Sequence, residues 1–238
     1  RWRISLTSKK IVLRILFIIV TLLFQFFVFG QGNSRLQLTP LFNGLPLELD
    51  KNYILEDSSW YKFSTCRFYV SNLSFFKDGK LKEKTNEFYL FDLDEPSSFS
   101  ITFKNEDFDY LSFSIGIDSS TNVAGILDGA LDPIKGMYWA WNSGYINFKL
   151  EGTSSKSTEK SKSFEFHLGG YLAPYQTIQT VHLPIRNNSK DILIGLDILT
   201  FMKEIDFNKS SNVMIPGLNA VQISSILPSI FTVLPNEK

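Results

Sequence analysis

The chain has 238 residues, and its 24 Lys and Arg are balanced by 24 Asp and Glu. A formal net charge of zero excludes a strongly basic nucleic-acid binder and an acidic disordered chain. With 44% hydrophobic and 15% aromatic residues the chain can bury one substantial core; the single Cys66 excludes an internal disulfide framework or a Cys-rich metal centre, and the two imidazoles, His167 and His182, exclude a site built from three.

Arg1, Arg3, Lys9, Lys10 and Arg14 precede an apolar run from Ile15 to Phe29. This run, with the modest residues at Val28 and Gly30, reads as a signal peptide over residues 1–30, cleaved before Gln31. An uncleaved anchor is the alternative, since the run is close to spanning length. Both readings place residues 31–238 outside the cytoplasm as one domain, periplasmic or secreted. Without the five basic residues of the segment, 19 positive charges face 24 negative ones, leaving about −5.

Residues 31–238 read as β throughout. Leu36 to Thr39 alternates apolar and polar, Asn43-Gly44 signals a hairpin turn, and Leu45 to Leu49 alternates again. Strands are expected at Trp60–Ser64, Cys66–Val70, a hairpin around Asp78-Gly79, Phe88–Asp92 and Phe99–Phe103. Tyr110 to Ile117 alternates strictly, with Leu111, Phe113, Ile115 and Ile117 on one face. Later strands are Gly144–Leu150, Phe164–Leu168, Gln176–Leu183 and Ile192–Asp197. Thr153 to Ser163 is rich in Ser and Lys, has nothing apolar to bury, and reads as a mobile hairpin loop. Helix signals are confined to Asn219–Phe231, where Pro228 interrupts. The expectation is an all-β single domain, an antiparallel sandwich or barrel-like fold with one short C-terminal helix.

The densest chemistry lies between Gly125 and Gly152. Trp139 and Trp141, one residue apart, would share a face on a strand, beside Met137, Tyr138 and Tyr145. Such a pair serves equally as core or as a stacking patch for a ligand. Asp128 and Asp132 have a spacing that suits calcium ligands, but capping of turns by their side chains is the simpler use. If Phe164 and Phe166 face the core, His167 faces away, and a lone strand His usually makes a surface hydrogen bond. His182 has the same reading. Two imidazoles with a third weak donor would still suit copper. Cys66 opens an apolar strand and reads as a buried, inert thiol. No G-x-S-x-G elbow, P-loop or dinucleotide fingerprint occurs, so the protein is not expected to be an enzyme.

The stretch Gly136-Met137-Tyr138-Trp139-Ala140-Trp141-Asn142-Ser143-Gly144-Tyr145 resembles the W-x-W-x-x-G-Y signature of MbnP-like proteins, relatives of the MopE and CorA types. Phe166-His167-Leu168-Gly169-Gly170, Arg67 to Leu73, Asn43 to Leu47 and Val213 to Gly217 resemble further parts of that family. The resemblance implies an exported β-rich copper-binding protein that buffers or delivers the metal. It also implies oxidation of a Trp to kynurenine by a MauG-type dihaem cytochrome c peroxidase, which would be its protein partner. Copper would be the cofactor, nucleic acid would not bind, and a membrane would be touched only through an uncleaved N-terminal segment. Trp139 and Trp141 match the family's Trp pair, and His167 matches the His before its double glycine. His182 joins the metal candidates as the remaining imidazole, and Met137 as a thioether suited to Cu(I). The chain departs from its copper-binding relatives in lacking their further histidines. Two other functions are open: an extracellular ligand-binding or adhesion module that stacks its ligand on the Trp pair, and a metal-free redox substrate of a peroxidase.

Overall fold

A computed structural model describes residues 33–104, 107–141, 144–185 and 191–235. The segment read as a signal peptide lies outside the described residues, as do Asn142 and Ser143. Fifteen strands form among the described residues: β1 Asn33–Phe42, β2 Leu45–Pro46, β3 Asn52–Ile54, β4 Trp60–Lys77, β5 Lys80–Lys84, β6 Tyr89–Asp92, β7 Ser100–Lys104, β8 Tyr110–Ile115, β9 Tyr138–Trp139, β10 Gly144–Ser154, β11 Ser163–Gly169, β12 Gln179–Pro184, β13 Asp191–Asp197, β14 Asn212–Val213 and β15 Phe231–Val233. Three short helices interrupt them: α1 Ser119–Ala124, α2 Ile198–Glu204 and α3 Leu218–Ser224. None of the described helices is long and apolar enough to cross a membrane.

The fold is all-β and sandwich-like, with mixed sheets that curl into a half-barrel. Most pairings are antiparallel, while β1–β13 and β11–β14 run parallel. The two expected hairpin turns form. Asn43 and Gly44 close β1–β2, and Asp78 and Gly79 close β4–β5, each pair with positive φ at both central residues as a tight I′ turn requires. Two of the expected strands, Trp60–Ser64 and Cys66–Val70, are parts of the single long β4.

Strand β4 is the spine of the larger sheet. Arg67 pairs with Asp92 of β6 and with Lys149 of β10, and Val70 pairs with Tyr89 of β6 and with Ile115 of β8. Since β6 takes one edge of β4 at both positions, β10 and β8 share the other edge end to end. β11 lies beside β10 and β12 beside β8, so a second row repeats the same break. Asn147 closes the junction: its Oδ1 accepts from Ile117 N at 2.9 Å and its Nδ2 donates to Thr177 Oγ1 at 2.9 Å. Gly116, with φ +114, makes room for it, because a Cβ there would lie 2.4 Å from Asn147 Cγ.

The inner face of this sheet packs on the smaller sheet through aromatic rings. Phe75 stacks on Phe103 at 4.5 Å between centroids, and Phe113 meets Phe231 edge-on at 5.3 Å. Leu111, Phe113 and Ile115 point into this core, as their alternation implies, but Ile117, expected on the same face, lies in the outer cluster, because β8 ends at Ile115 and Gly116 turns the chain with φ +114. A second, smaller cluster forms on the outer face from Tyr69, Ile117, Leu131, Met137, Trp139, Tyr145 and Ile146.

Residues 155–162 link β10 and β11, as the hairpin reading expects, but they are tied down by hydroxyls rather than apolar groups. Ser154 and Ser157 are buried, Ser157 Oγ donates to Ser163 O at 2.5 Å, and Thr158 N donates to Ser211 Oγ at 3.2 Å. At the C-terminus, α3 gives way to a 3-10 turn over Leu227–Ile230, with Pro228 in its first positions. Helices α1 and α2 were not expected from the sequence. Each begins with an Asp side chain that accepts a backbone N–H, Asp118 from Thr121 and Asp197 from Thr200.

Candidate functional site

The outer face of the larger sheet carries the predicted site residues, and the strand registers place them. Phe164, Phe166 and Leu168 enter the main core, so Glu165, His167 and Gly169 face outward. Lys149 stands opposite His167, and Arg67 opposite Lys149, giving one row across three strands. Glu151 stands in the next row, between Thr65 and Glu165.

His167 is hydrogen-bonded, as expected, but it is buried, only 7% exposed. Its Nε2 lies 2.6 Å from Glu151 Oε1. Lys149 Nζ approaches the same oxygen at 3.3 Å, and Thr65 Oγ1 donates to Oε2 at 2.8 Å. The hydrogen bond from His167, aided by Thr65 and Lys149 against the cost of partial burial, pulls the Glu151 carboxyl down to about 2. Glu151 is the residue that sequence reasoning missed. The signal was available in the hairpin, where residues 149 and 151 must share a face with 165 and 167 once register is known. An open groove of about 340 Å³ flanks Glu151 and is lined also by Asp50, Lys62, Ser64 and Glu165.

Trp139 rests on this face two residues further along. Gly169 lacks the Cβ that would lie 2.6 Å from Trp139 Cζ3 and 2.7 Å from Tyr145 O, so the indole lies directly on the backbone of β11. Trp139 is 6% exposed and Trp141 65%, with ring centroids 5.8 Å apart and planes inclined at 45°. The pair is therefore in contact, one ring inside and one at the surface. Met137 is fully buried in the same outer cluster as Trp139.

Three side chains hold the segment that carries this cluster over the sheet. Tyr69 donates to Ala130 O at 3.1 Å. Tyr145 Oη accepts from Leu127 N at 3.1 Å and donates to Gly125 O at 3.2 Å. Arg67 donates to Lys135 O at 3.3 Å while pairing with Asp92 at 2.8 Å and Asp94 at 3.2 Å. Asp132 caps its own turn by accepting from Ile134 N at 2.9 Å, as expected, whereas the Asp128 side chain makes no capping hydrogen bond among the described residues. Cys66 is buried, and burial pushes its thiol up to about 12, which agrees with the inert reading.

The two imidazoles do not come together. His182 on β12 stands opposite Ser112, which stands opposite Ser74 on β4, whereas His167 is aligned through Lys149 with Arg67. Seven residues of β4 separate those positions, on the order of 20 Å. His182 is exposed and stacks on Tyr110 at 5.8 Å. It therefore cannot share one ion with His167, and it drops out of the site.

Among the described residues no group of three or more His, Cys, Asp and Glu could hold a metal ion. The unmodified donor set is thus one imidazole beside an indole pair, with one thioether in the same cluster. Copper fits these residues as a half-site: His167 makes no Nδ1 hydrogen bond among the described residues, and a further nitrogen or oxygen donor is needed nearby. An indole offers no such donor, whereas its oxidised, ring-opened product offers an aryl amine and a ketone.

Comparisons with known proteins bear on the fold and the family. The structure is similar to that of MbnP from Methylosinus trichosporium, with a TM-score of 0.55 over 74% of this chain and 78% of that one, at 14% sequence identity. No curated protein matches the chain. Residues 31–215 match the MbnP family, which takes in the Trp pair, His167 and Glu151. The chain belongs to the MbnP family.

Proposed function

We propose that the protein handles copper outside the cytoplasm, buffering or delivering the ion without catalysing a reaction. The observation that carries this reading is a buried His167, with Nδ1 free of hydrogen bonds among the described residues, two residues along β11 from Gly169, over which Trp139 lies in contact with Trp141. Of the two indoles, Trp139 is the one whose oxidation completes the site, because it lies over Gly169, on the same face as His167. Kynurenine formation at this position would cleave the indole C2–C3 bond in a four-electron oxidation with water as the oxygen source; C3 becomes a ketone, C2 leaves as formate and the aryl amine is freed, and the amine and His167 would then be the ligands. Met137 remains a third donor, one that favours Cu(I). A MauG-type dihaem cytochrome c peroxidase would supply the oxidising equivalents, and Trp141 is the ring such a partner can reach. The basic and apolar N-terminal segment supports export to the periplasm or beyond.

The test is peptide mapping of the protein purified from its own host, with Trp139→Phe and Trp141→Phe beside it. The reading expects a modified Trp139 with bound copper, both lost in Trp139→Phe. If both variants keep the mass change of the parent, the reading is wrong.

One observation favours a second reading. Trp141, Leu172, Tyr175, Met214, Ile215 and Leu218 are all exposed, and a Cβ at Gly170 would lie 3.2 Å from Pro216 Cβ and 2.3 Å from Tyr175 O, which brings the 171–175 and 214–218 segments together. An apolar surface of this kind suits a ligand-binding or adhesion module. That reading expects unmodified tryptophans and no stoichiometric copper.

A further inference from the structure

Glu151 has no part in the copper reading as stated, yet its geometry bears on which atom of His167 can meet a metal. This inference rests on that reading and deepens it. Glu151 Oε1 faces His167 Nε2 at 2.6 Å and Lys149 Nζ at 3.3 Å, and Oε2 takes the Thr65 hydroxyl at 2.8 Å. A carboxylate surrounded by three donors only accepts, so Nε2 carries a hydrogen. In the neutral imidazole the remaining lone pair is then on Nδ1. The register sets the direction: Glu151 lies on the Glu165 side of His167, and Gly169 with the indole of Trp139 lies on the other. The two ring nitrogens point to opposite sides of the ring, so Nδ1 is turned away from Glu151.

We propose that Glu151 is a positioning residue that holds His167 as its Nε2–H tautomer and presents Nδ1, on the Trp139 side, as the metal-ligating nitrogen. Carboxylates that accept from the far nitrogen of a ligating His fix ring orientation and raise ligand basicity, and losing one lowers metal affinity about 10–100-fold. Glu151→Ala removes the acceptor. Glu151→Gln keeps an oxygen acceptor in nearly the same place, and it serves also where the Ala variant fails to fold.

The experiment has two readouts on protein purified from its own host grown on labelled nitrogen. Two-bond proton–nitrogen spectra of the metal-free protein report the His167 tautomer directly. Competition with a chromophoric chelator reports affinity for copper(I). The expected result is an Nε2–H tautomer in the parent and a mixture in Glu151→Ala, with copper affinity about 10–100-fold lower in that variant. Glu151→Gln is expected between the two in both readouts. An Nδ1–H tautomer in the parent, or an unchanged tautomer in Glu151→Ala, overturns the proposal whatever copper does. A Glu151-dependent Nε2–H tautomer in a protein that takes up no copper leaves the tautomer assignment standing and overturns the ligand role of Nδ1 together with the copper reading.

Discussion

The two faces of the larger sheet bury rings by different means. On the inner face, Phe68, Phe113, Phe148 and Phe166 interlock with rings of the opposing sheet and neighbouring elements, and their positions follow the two-residue period of each strand. On the outer face, Met137, Trp139 and Tyr145 are covered by a segment with little regular structure, pinned at Tyr69, Tyr145 and Arg67. Polar groups surround the second cluster, where a histidine, a glutamate, a lysine and an arginine stand within two rows of the indole pair. The contrast teaches that the inner face is built for stability and the outer face for holding a few side chains in fixed chemical relation. That face tolerates charge because His167, Lys149 and Thr65 converge on Glu151, while Arg67 pairs with Asp92 and Asp94.

That contrast can be broken from either side. Phe148→Ala removes a fully buried ring from the inner core and should cost about 3–5 kcal/mol, read as a lowered urea midpoint at unchanged slope. Gly169→Ala drives a methyl into Trp139 and Tyr145 O and should cost about 1–3 kcal/mol, with a changed fluorescence of the indole pair. A Gly169→Ala protein with the parent's stability and emission would mean that the indole does not lie on β11. Glu151→Gln should cost about 1–3 kcal/mol, since the carboxylate takes charge-assisted hydrogen bonds in a mostly buried position. Its effect has a defined pH dependence. The folded-state pKa lies below the ordinary carboxylate value, so the stabilisation is present in full above that value and fades as pH falls toward about 2. The urea midpoints of parent and variant should therefore differ at neutral pH and converge in acid. Trp141→Phe should change stability by no more than about 0.5 kcal/mol, because most of the ring is in solvent.

Much of the inner face was legible in the sequence. The alternation from Tyr110 to Ile115 and the turns at Asn43-Gly44 and Asp78-Gly79 each carry their own local signal. The outer cluster was not legible, because Ile117, Leu131, Met137 and Tyr145 meet only when the 118–141 segment folds back, and no period marks that. Helices α1 and α2 are too short for a helical period, and their Asp caps were the only local trace. Of the candidate site, the Trp pair stood out by residue type and spacing, and His167 by its resemblance to the His before the double glycine of MbnP-like proteins. Glu151 was hidden because its role depends on the register of β10 against β11. The separation of His182 from His167 depends in the same way on long-range pairing, which alternation does not specify.

The central claim is that this outer face holds copper between His167 and an oxidised Trp139. The most direct measurement is the intact mass of the protein from its own host, mapped to residues, with copper quantified on the same sample. The account predicts kynurenine at Trp139 and about one copper per chain. An unmodified Trp139 in a protein that takes up no copper would contradict it.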